Sequence, residues 1–511
     1  MGISSLLALL PILAILFLMI RRGWGAAKAG LAGYLTALVI GVLFFGAGME
    51  LLAYAHLKAL LLAFDVLYIV WAAFLHYQVV AEAGAIAVLG NALQRLTESR
   101  GLLALILGFA FAAFLQGVGG FGVPVAIAAP LLVGVGFTPL EAVVIPSVGH
   151  AWSVTFGSLG SSFQALMAAT HLSGEALAFP AAAVLGLCGL ASAFLVVHLA
   201  DGWAGLARLW PAALFIGLTL TAVQLGLAVS GLWNLAAAGA GLVGLIVCVP
   251  MVRWSGSKRK DGPAPDRSRV AAAAAGYLIL IALAILIQLL PGIQETLGSV
   301  ALRVEFPEMR TALGFGTPAG VGRVIPWFTH GGAVLLYATV FTYLFNWKQG
   351  YSRLGSLPAL FARTVGGVAP ATIGILTMVA MAVIMSHAGM TDLLARWLAE
   401  AGTVILPVLS PLIGALGAFM TGSNTNSNVV FGALQARAAE LLGLSVPWIL
   451  AAQTAGGALG SVLAPTKLVV AAATANLRGA EGLAMRRILP YVLWLMVVTI
   501  LGVSLGLALS D

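Results

Sequence analysis

Three stretches of small and polar residues lie inside otherwise apolar runs, and their side chains could hold a small anion. The first is Gln116-Gly117-Val118-Gly119-Gly120-Phe121-Gly122-Val123-Pro124. The second is Thr421-Gly422-Ser423-Asn424-Thr425-Asn426-Ser427-Asn428. The third runs from Gln453 and Thr454 through Gly456, Gly457 and Gly460 to Ser461, followed by Ala464-Pro465-Thr466-Lys467. At membrane depth a backbone cannot leave N–H and C=O groups unpaired against lipid, so such breaks must face protein or a watery cavity. Interrupted segments in both halves of a chain point to a transporter's binding site.

Each stretch has its own chemistry. In the first, Gly120 and Gly122 let the backbone leave helical geometry and let a ligand approach, while Gln116 supplies an amide. A small-residue packing face is the plain alternative. In the second, Ser423, Asn424 or Thr425 can cap the apolar helix that starts near Val429, and a helix N-terminus is a ready anion site. Asn426, Ser427 and Asn428 continue the polar run, which an ordinary solvent-facing turn would also contain. In the third, Gln453 and Thr454 are polar groups within an apolar helix. Lys467 either lines a pathway or snorkels to an interface, since a lysine within a membrane segment is expensive. His150, between Val148 and Trp152 in an expected span, could carry a coupling proton or be a buried, neutral core histidine. Asp65, Glu82 and Glu141 read as interfacial carboxylates near helix ends. His76, His198 and His387 lack metal spacing.

The elements that must position these groups are membrane helices. Of the 511 residues, 61% are hydrophobic and 8% charged, and the mean hydropathy is +1.07. A soluble domain carries about 25% charged residues, so the chain reads as an all-α integral membrane protein. A β-barrel is excluded because the apolar runs are continuous rather than alternating. Runs from 3–20 to 488–508 suffice for about 14 crossings, some of them broken or re-entrant. The net charge of +8, from 25 Lys and Arg against 17 Asp and Glu, gathers in short loops, as the positive-inside rule expects, and is no sign of nucleic-acid binding. The run 3–20 reads as a retained first helix with the N-terminus outside. Residues 253–269 form a hydrophilic cytoplasmic linker between an N-terminal transmembrane repeat, 1–252, and a C-terminal one, 270–511. Residues 291–332 form a polar excursion expected to hold short helices or a re-entrant piece. Cys188 and Cys248 have neither paired nor metal-ligand spacing.

In this order, the segments 108–136, Phe156–Gly160 (FGSLG), Leu416–Gln435 (LGAFMTGSNTNSNVVFGALQ) and Gly456–Pro465 resemble the L-lactate permease family of bacterial plasma-membrane transporters. The resemblance spans most of the chain. It implies proton-coupled uptake of small 2-hydroxymonocarboxylates such as lactate and glycolate. It also implies an elevator-like ion-transporter architecture whose hairpin tips carry a Ser-Asn-Thr like Ser423-Asn424-Thr425. The family pattern has a glutamate where this chain has Gln116, an aspartate at Asn424, a lysine at Ser461 and an asparagine at His150. Two carboxylates able to carry a proton are therefore amides here, and Lys467 is a relocated lysine.

The expected substrate site comprises Gln116, Gly120, Phe121, Gly122, Ser158, Ser423, Asn424, Thr425, Asn426, Ser427, Asn428, Gln453, Thr454 and Lys467, with His150 as proton carrier. The expected partners are a small anionic substrate, H⁺ as coupling ion and the lipid bilayer, with no cofactor or metal, and a homodimer as a possible assembly. Sodium coupling is the alternative, because hydroxyl, amide and unwound carbonyl oxygens could coordinate Na⁺; another organic or inorganic anion also remains open. An enzyme is disfavoured by the lack of any HExxH, GxSxG, CxxC or paired aspartate, and ATP-driven transport by the lack of GxxxxGK[ST]. A channel would need a pore ring built by oligomers.

Overall fold

The computed structural model describes residues 3–22, 24–120, 122–254, 266–352, 357–400, 402–477 and 480–510. Phe121 and most of the expected linker, 255–265, lie outside the described residues. The protein is a multi-pass helical membrane protein. Among the described residues, eight helices are long and apolar enough to cross a bilayer, or nine if the bent pair Pro139–Ser153 and Gly157–Thr170 is one span. One of the eight, Gly174–Val229, is broken at Gly202 (φ 65°, ψ −162°), a backbone geometry open to glycine alone. Shorter apolar helices, among them Val123–Gly134 and Leu406–Phe419, lie beside them.

Two consecutive interrupted helices occur in each half of the chain. In the first half, Ala112–Val118 stops and Val123–Gly134 restarts. Pro139–His150 then gives way to a short 3₁₀ turn, and Gly157–Thr170 continues at 47° to it. In the second half Leu406–Thr421 is followed by Asn424–Leu441, and Val446–Ser461 by Pro465–Thr474. These are the glycine- and polar-rich stretches of the sequence.

Some of the interrupted helices are buried, while Leu406–Thr421 and Pro465–Thr474 each keep an exposed apolar face. From Gly101 to Val118 the segment is wholly buried and contains a π-helical stretch, Ala104–Phe111. Helices Leu406–Thr421 and Val446–Ser461 touch backbone to backbone: a Cβ on Gly456 would overlap the Pro411 carbonyl, and one on Gly414 the Gln453 carbonyl. In lipid, where apolar burial drives little helix association, such close approach is what holds helices together. The third polar stretch therefore has two faces, one that packs through glycine and one that is polar.

The excursion after residue 290 departs from expectation. A short helix, Pro291–Gly298, is present, but the remainder is a hairpin of three nested antiparallel pairs: Ala301–Leu302 with Ile325–Pro326, Glu305–Phe306 with Gly320–Val321, and Met309–Arg310 with Gly316–Thr317. The alternation of Leu302, Val304 and Phe306 is a strand signal. Buried Phe306 and Ile325 dock the hairpin on Leu61 of the helix Met49–Glu82.

Candidate functional site

The break after Thr421 brings most of the expected residues together. Gly422 takes a left-handed φ of 70°, and Ser423 then caps the new helix by accepting from the Asn426 N–H. An N-cap of this kind stabilises a helix by about 1 kcal/mol. Residues four apart share a helix face, so Asn424 and Asn428 point the same way. Asn424 Nδ2 donates to Thr155 Oγ1 at 3.1 Å and to the Thr454 carbonyl at 3.2 Å. Asn428 Nδ2 donates to Thr454 Oγ1 and to the Ser162 carbonyl, each at 2.9 Å. Thr155 Oγ1 and Thr454 Oγ1 are themselves 3.1 Å apart, and Ser162 Oγ meets Thr425 Oγ1 at 3.0 Å. All six residues are buried. Three interrupted helices thus meet in one polar node.

A second layer supports this node. Gln453 Nε2 donates to Ser427 Oγ at 3.0 Å, and Ser427 Oγ–H donates to the Gly414 carbonyl at 2.7 Å. Gln435 Nε2 donates to Gln453 Oε1 and to the Ser410 carbonyl. Each amide spends its N–H groups on protein. By contrast, the buried oxygens Asn424 Oδ1, Gln435 Oε1, Asn426 Oδ1 and Gln116 Oε1 have no partner. An unpaired buried acceptor costs about 1–3 kcal/mol, so these atoms invite a donor or a cation. Asn426 stands apart from the node: it lines a narrow crevice with Ile12, Ile15 and Phe431.

Gln116, Gly120 and Ser158 form a neighbouring contact. Gly120 (φ 62°) lies against Ser158, so that a Cβ there would overlap Ser158 Oγ, and a Cβ on Gly157 would press on Gln116. Ser158, Leu159 and Gly160 all have left-handed backbone. Positive φ is uncommon for serine and a genuine outlier for a bulky residue such as leucine, and such strain gathers at functional sites. Gly122 (φ 88°) starts the helix Val123–Gly134 and has open space around it; nothing brings it to the node. His150 is buried, with Nδ1 on the Pro146 carbonyl and Nε2 unpartnered.

Sequence reasoning missed Thr155, Ser162 and Gln435. Their partners lie up to 299 positions away or in another helix, and a hydroxyl inside a small-residue helix looks the same whether it packs or binds. It also misplaced Asp65. This carboxylate is 1% exposed, accepting from Gln164 Nε2 at 2.8 Å and Arg323 Nε at 3.0 Å, and lying 3.0 Å from His330 Nε2. It ties the hairpin to the helix Gly157–Thr170. Glu141 does lie near the surface, in a capping box with Thr138 and in an ion pair with Arg100 at 3.1 Å.

Comparison with known proteins decides the family. The model of the L-lactate permease family matches residues 4–509. The chain belongs to the L-lactate permease family. It is 26% identical to the glycolate permease GlcA of Escherichia coli K12 over 94% of this chain and 91% of that protein. The figures are the same for the L-lactate permease of that strain. Among solved structures, the Alcanivorax borkumensis YdaH transporter is similar at a TM-score of 0.48 and 18% identity, covering 87% of this chain and 86% of that one. As a member of a permease family the chain is a transporter and not an enzyme.

Ser461 is the position at which the resemblance to the L-lactate permease family implies a lysine. Lys467, half-buried in the first turn of Pro465–Thr474, reaches back to place its ammonium 3.0 Å from Ser461 Oγ.

Proposed function

We propose that this chain is a secondary active transporter of small 2-hydroxymonocarboxylates, lactate and glycolate among them, and that it imports them by proton symport. What supports this most is the buried node where Asn424, Asn428, Thr155 and Thr454 join three interrupted helices with the Asn424 oxygen unpaired. A 2-hydroxy acid offers a hydroxyl donor to such an oxygen. Its carboxylate seeks donors and positive charge, which Lys467 and the first turn of Asn424–Leu441 offer. The relatives named for lactate and glycolate permeation support the same substrate class.

His150 is the proposed proton carrier. Its Nε2 is unpaired, and Lys467 is the cation proposed for the same site. A substrate carboxylate beside both would offset the second positive charge, which ties proton uptake to anion uptake. His150→Gln is expected to abolish accumulation driven by a pH gradient while leaving counterflow of labelled substrate. Full pH-driven accumulation by that variant would remove His150 from the mechanism.

Around this site we place about 14 membrane segments in two repeat-related halves, 1–252 and 270–511, moving in elevator fashion. The order of two interrupted helices in each half supports the repeat. The protein would sit in the bacterial inner membrane with its N-terminus outside. The test is uptake of radiolabelled L-lactate and glycolate into proteoliposomes under a pH gradient without sodium. Accumulation abolished by a protonophore is the expected result. Sodium coupling is the second reading, favoured by the unpaired amide oxygens, which could ligate a cation; accumulation that requires a sodium gradient would establish it. Failure of both gradients to drive either substrate would overturn the reading.

A further inference from the structure

A cavity of about 400 Å³ lies between the hairpin and the helices that form the polar node. Its size is in the range of small-molecule pockets, about 300–1,000 Å³. Five elements line it: Met49–Glu82, the end of Gly157–Thr170, the hairpin strand region 317–323, Leu357–His387 and Asn424–Leu441. It begins at Val429, the residue after Asn428, so it continues the node along the same helix.

The charge in this cavity is predominantly positive. Lys58, Arg323 and Arg437 face one carboxylate, Glu440, with His171 and His387 beside them. Two of the cations are already paired: Arg323 with Asp65 at 3.0 Å, and Arg437 with Asp392 and Glu440, each at 2.8 Å. Lys58 is different. Its Nζ lies 3.2 Å from His387 Nε2 and 4.9 Å from the centre of the Phe306 ring. Among the described residues no carboxylate is within ion-pair distance of it. His387 Nδ1 donates to the Val383 carbonyl at 2.9 Å, which leaves Nε2 as the acceptor for Lys58. An ammonium has three donors. One is engaged by an imidazole and the aromatic ring covers one side, leaving capacity for an anion. Ser386 stands exposed beside it.

We infer that this cavity is a second anion-binding site, a vestibule in which Lys58 holds a small monocarboxylate before it passes to the polar node. The inference rests on the transport reading above for its ligand, and on Lys58 and the cavity for its charge. Docked on Leu61, the hairpin forms one wall, so the ligand enters past Thr317–Arg323.

Two measurements on the full-length protein test it. The first needs no transport. The variant S386C is labelled with anionic sulfonatoethyl and cationic trimethylammonium-ethyl methanethiosulfonate; native Cys188 and Cys248 are buried and give little background. After correction for reactivity with a free thiol, the anionic reagent is expected to react about tenfold faster, the worth of one charge-assisted hydrogen bond. K58Q should erase that preference and K58R retain it, and L-lactate should slow the anionic reagent. The second is proteoliposome uptake, where K58Q should raise KM for L-lactate about tenfold with little change in maximal rate, and K58R should restore it. An S386C labelling ratio unchanged by K58Q would overturn the inference. If the charge preference and its loss are seen but no hydroxy acid is carried, the vestibule stands and the transport reading fails.

Discussion

The breaks at residues 119–122 and 422–423 do the same geometric job with opposite chemistry. Both stop one helix and restart another through left-handed glycine. The first break offers little but backbone: Gly120 and Gly122 turn the chain, and no side chain caps Val123–Gly134. The second is dense with side chains: Ser423 caps the helix and five successive buried polar residues follow. Hence one break makes room and the other makes contacts. Gln116, just ahead of the first break, packs at Gly157 while its oxygen stays unpaired.

Four single substitutions, one of them followed by a compensating second change, would break or sharpen this contrast. The largest effect is expected from Asn428→Ala, which removes donors to two other interrupted helices. Losing two buried hydrogen bonds should lower kcat/KM for uptake about 100-fold; a decrease of less than about threefold would deny the second break its contacts. Gly120→Ala should cost about 2 kcal/mol in detergent unfolding, from left-handed strain and collision with Ser158, and unaltered stability would show that the first break is not a space-making device. Lys467→Ala should raise KM about tenfold. Adding Ser461→Lys to it should restore uptake if position, rather than identity, is what matters, whereas unchanged KM in the single variant assigns Lys467 to snorkelling. The smallest effect belongs to Ser423→Ala, about 1 kcal/mol from loss of the cap, seen as a small lowering of Tm with KM almost constant.

How much of this was visible in the sequence follows from the range of each interaction. Breaks are local, and glycine or polar residues inside apolar runs stand out, so Gly120, Gly422 and the run Ser423–Asn428 were legible. The contact of the Lys467 ammonium with Ser461 was not, because it depends on how the chain turns between two helices. The separation of Asn426 from Asn424 and Asn428 follows from helical spacing alone, yet the sequence run presented all three as equivalent. Thr155, Ser162 and Asp65 were not legible, because each matters through partners from another part of the chain. The hairpin over Leu61 was hidden by its brevity: strands of two residues, cut by Pro307 and Pro318, barely register as alternation.

The π-helical stretch Ala104–Phe111 lies ahead of Gln116 on the same buried helix. A wider turn holds a surplus residue relative to an α-helix, and each residue advances an α-helix by about 100°. That surplus sets the azimuth of every later side chain. Gln116 faces Gly157 because of an irregularity upstream, not because of its own neighbours. Were the stretch to tighten by one residue, the amide would swing about a quarter turn toward a different helix without any change in composition. The stretch thus acts as a phase adjuster for the first break.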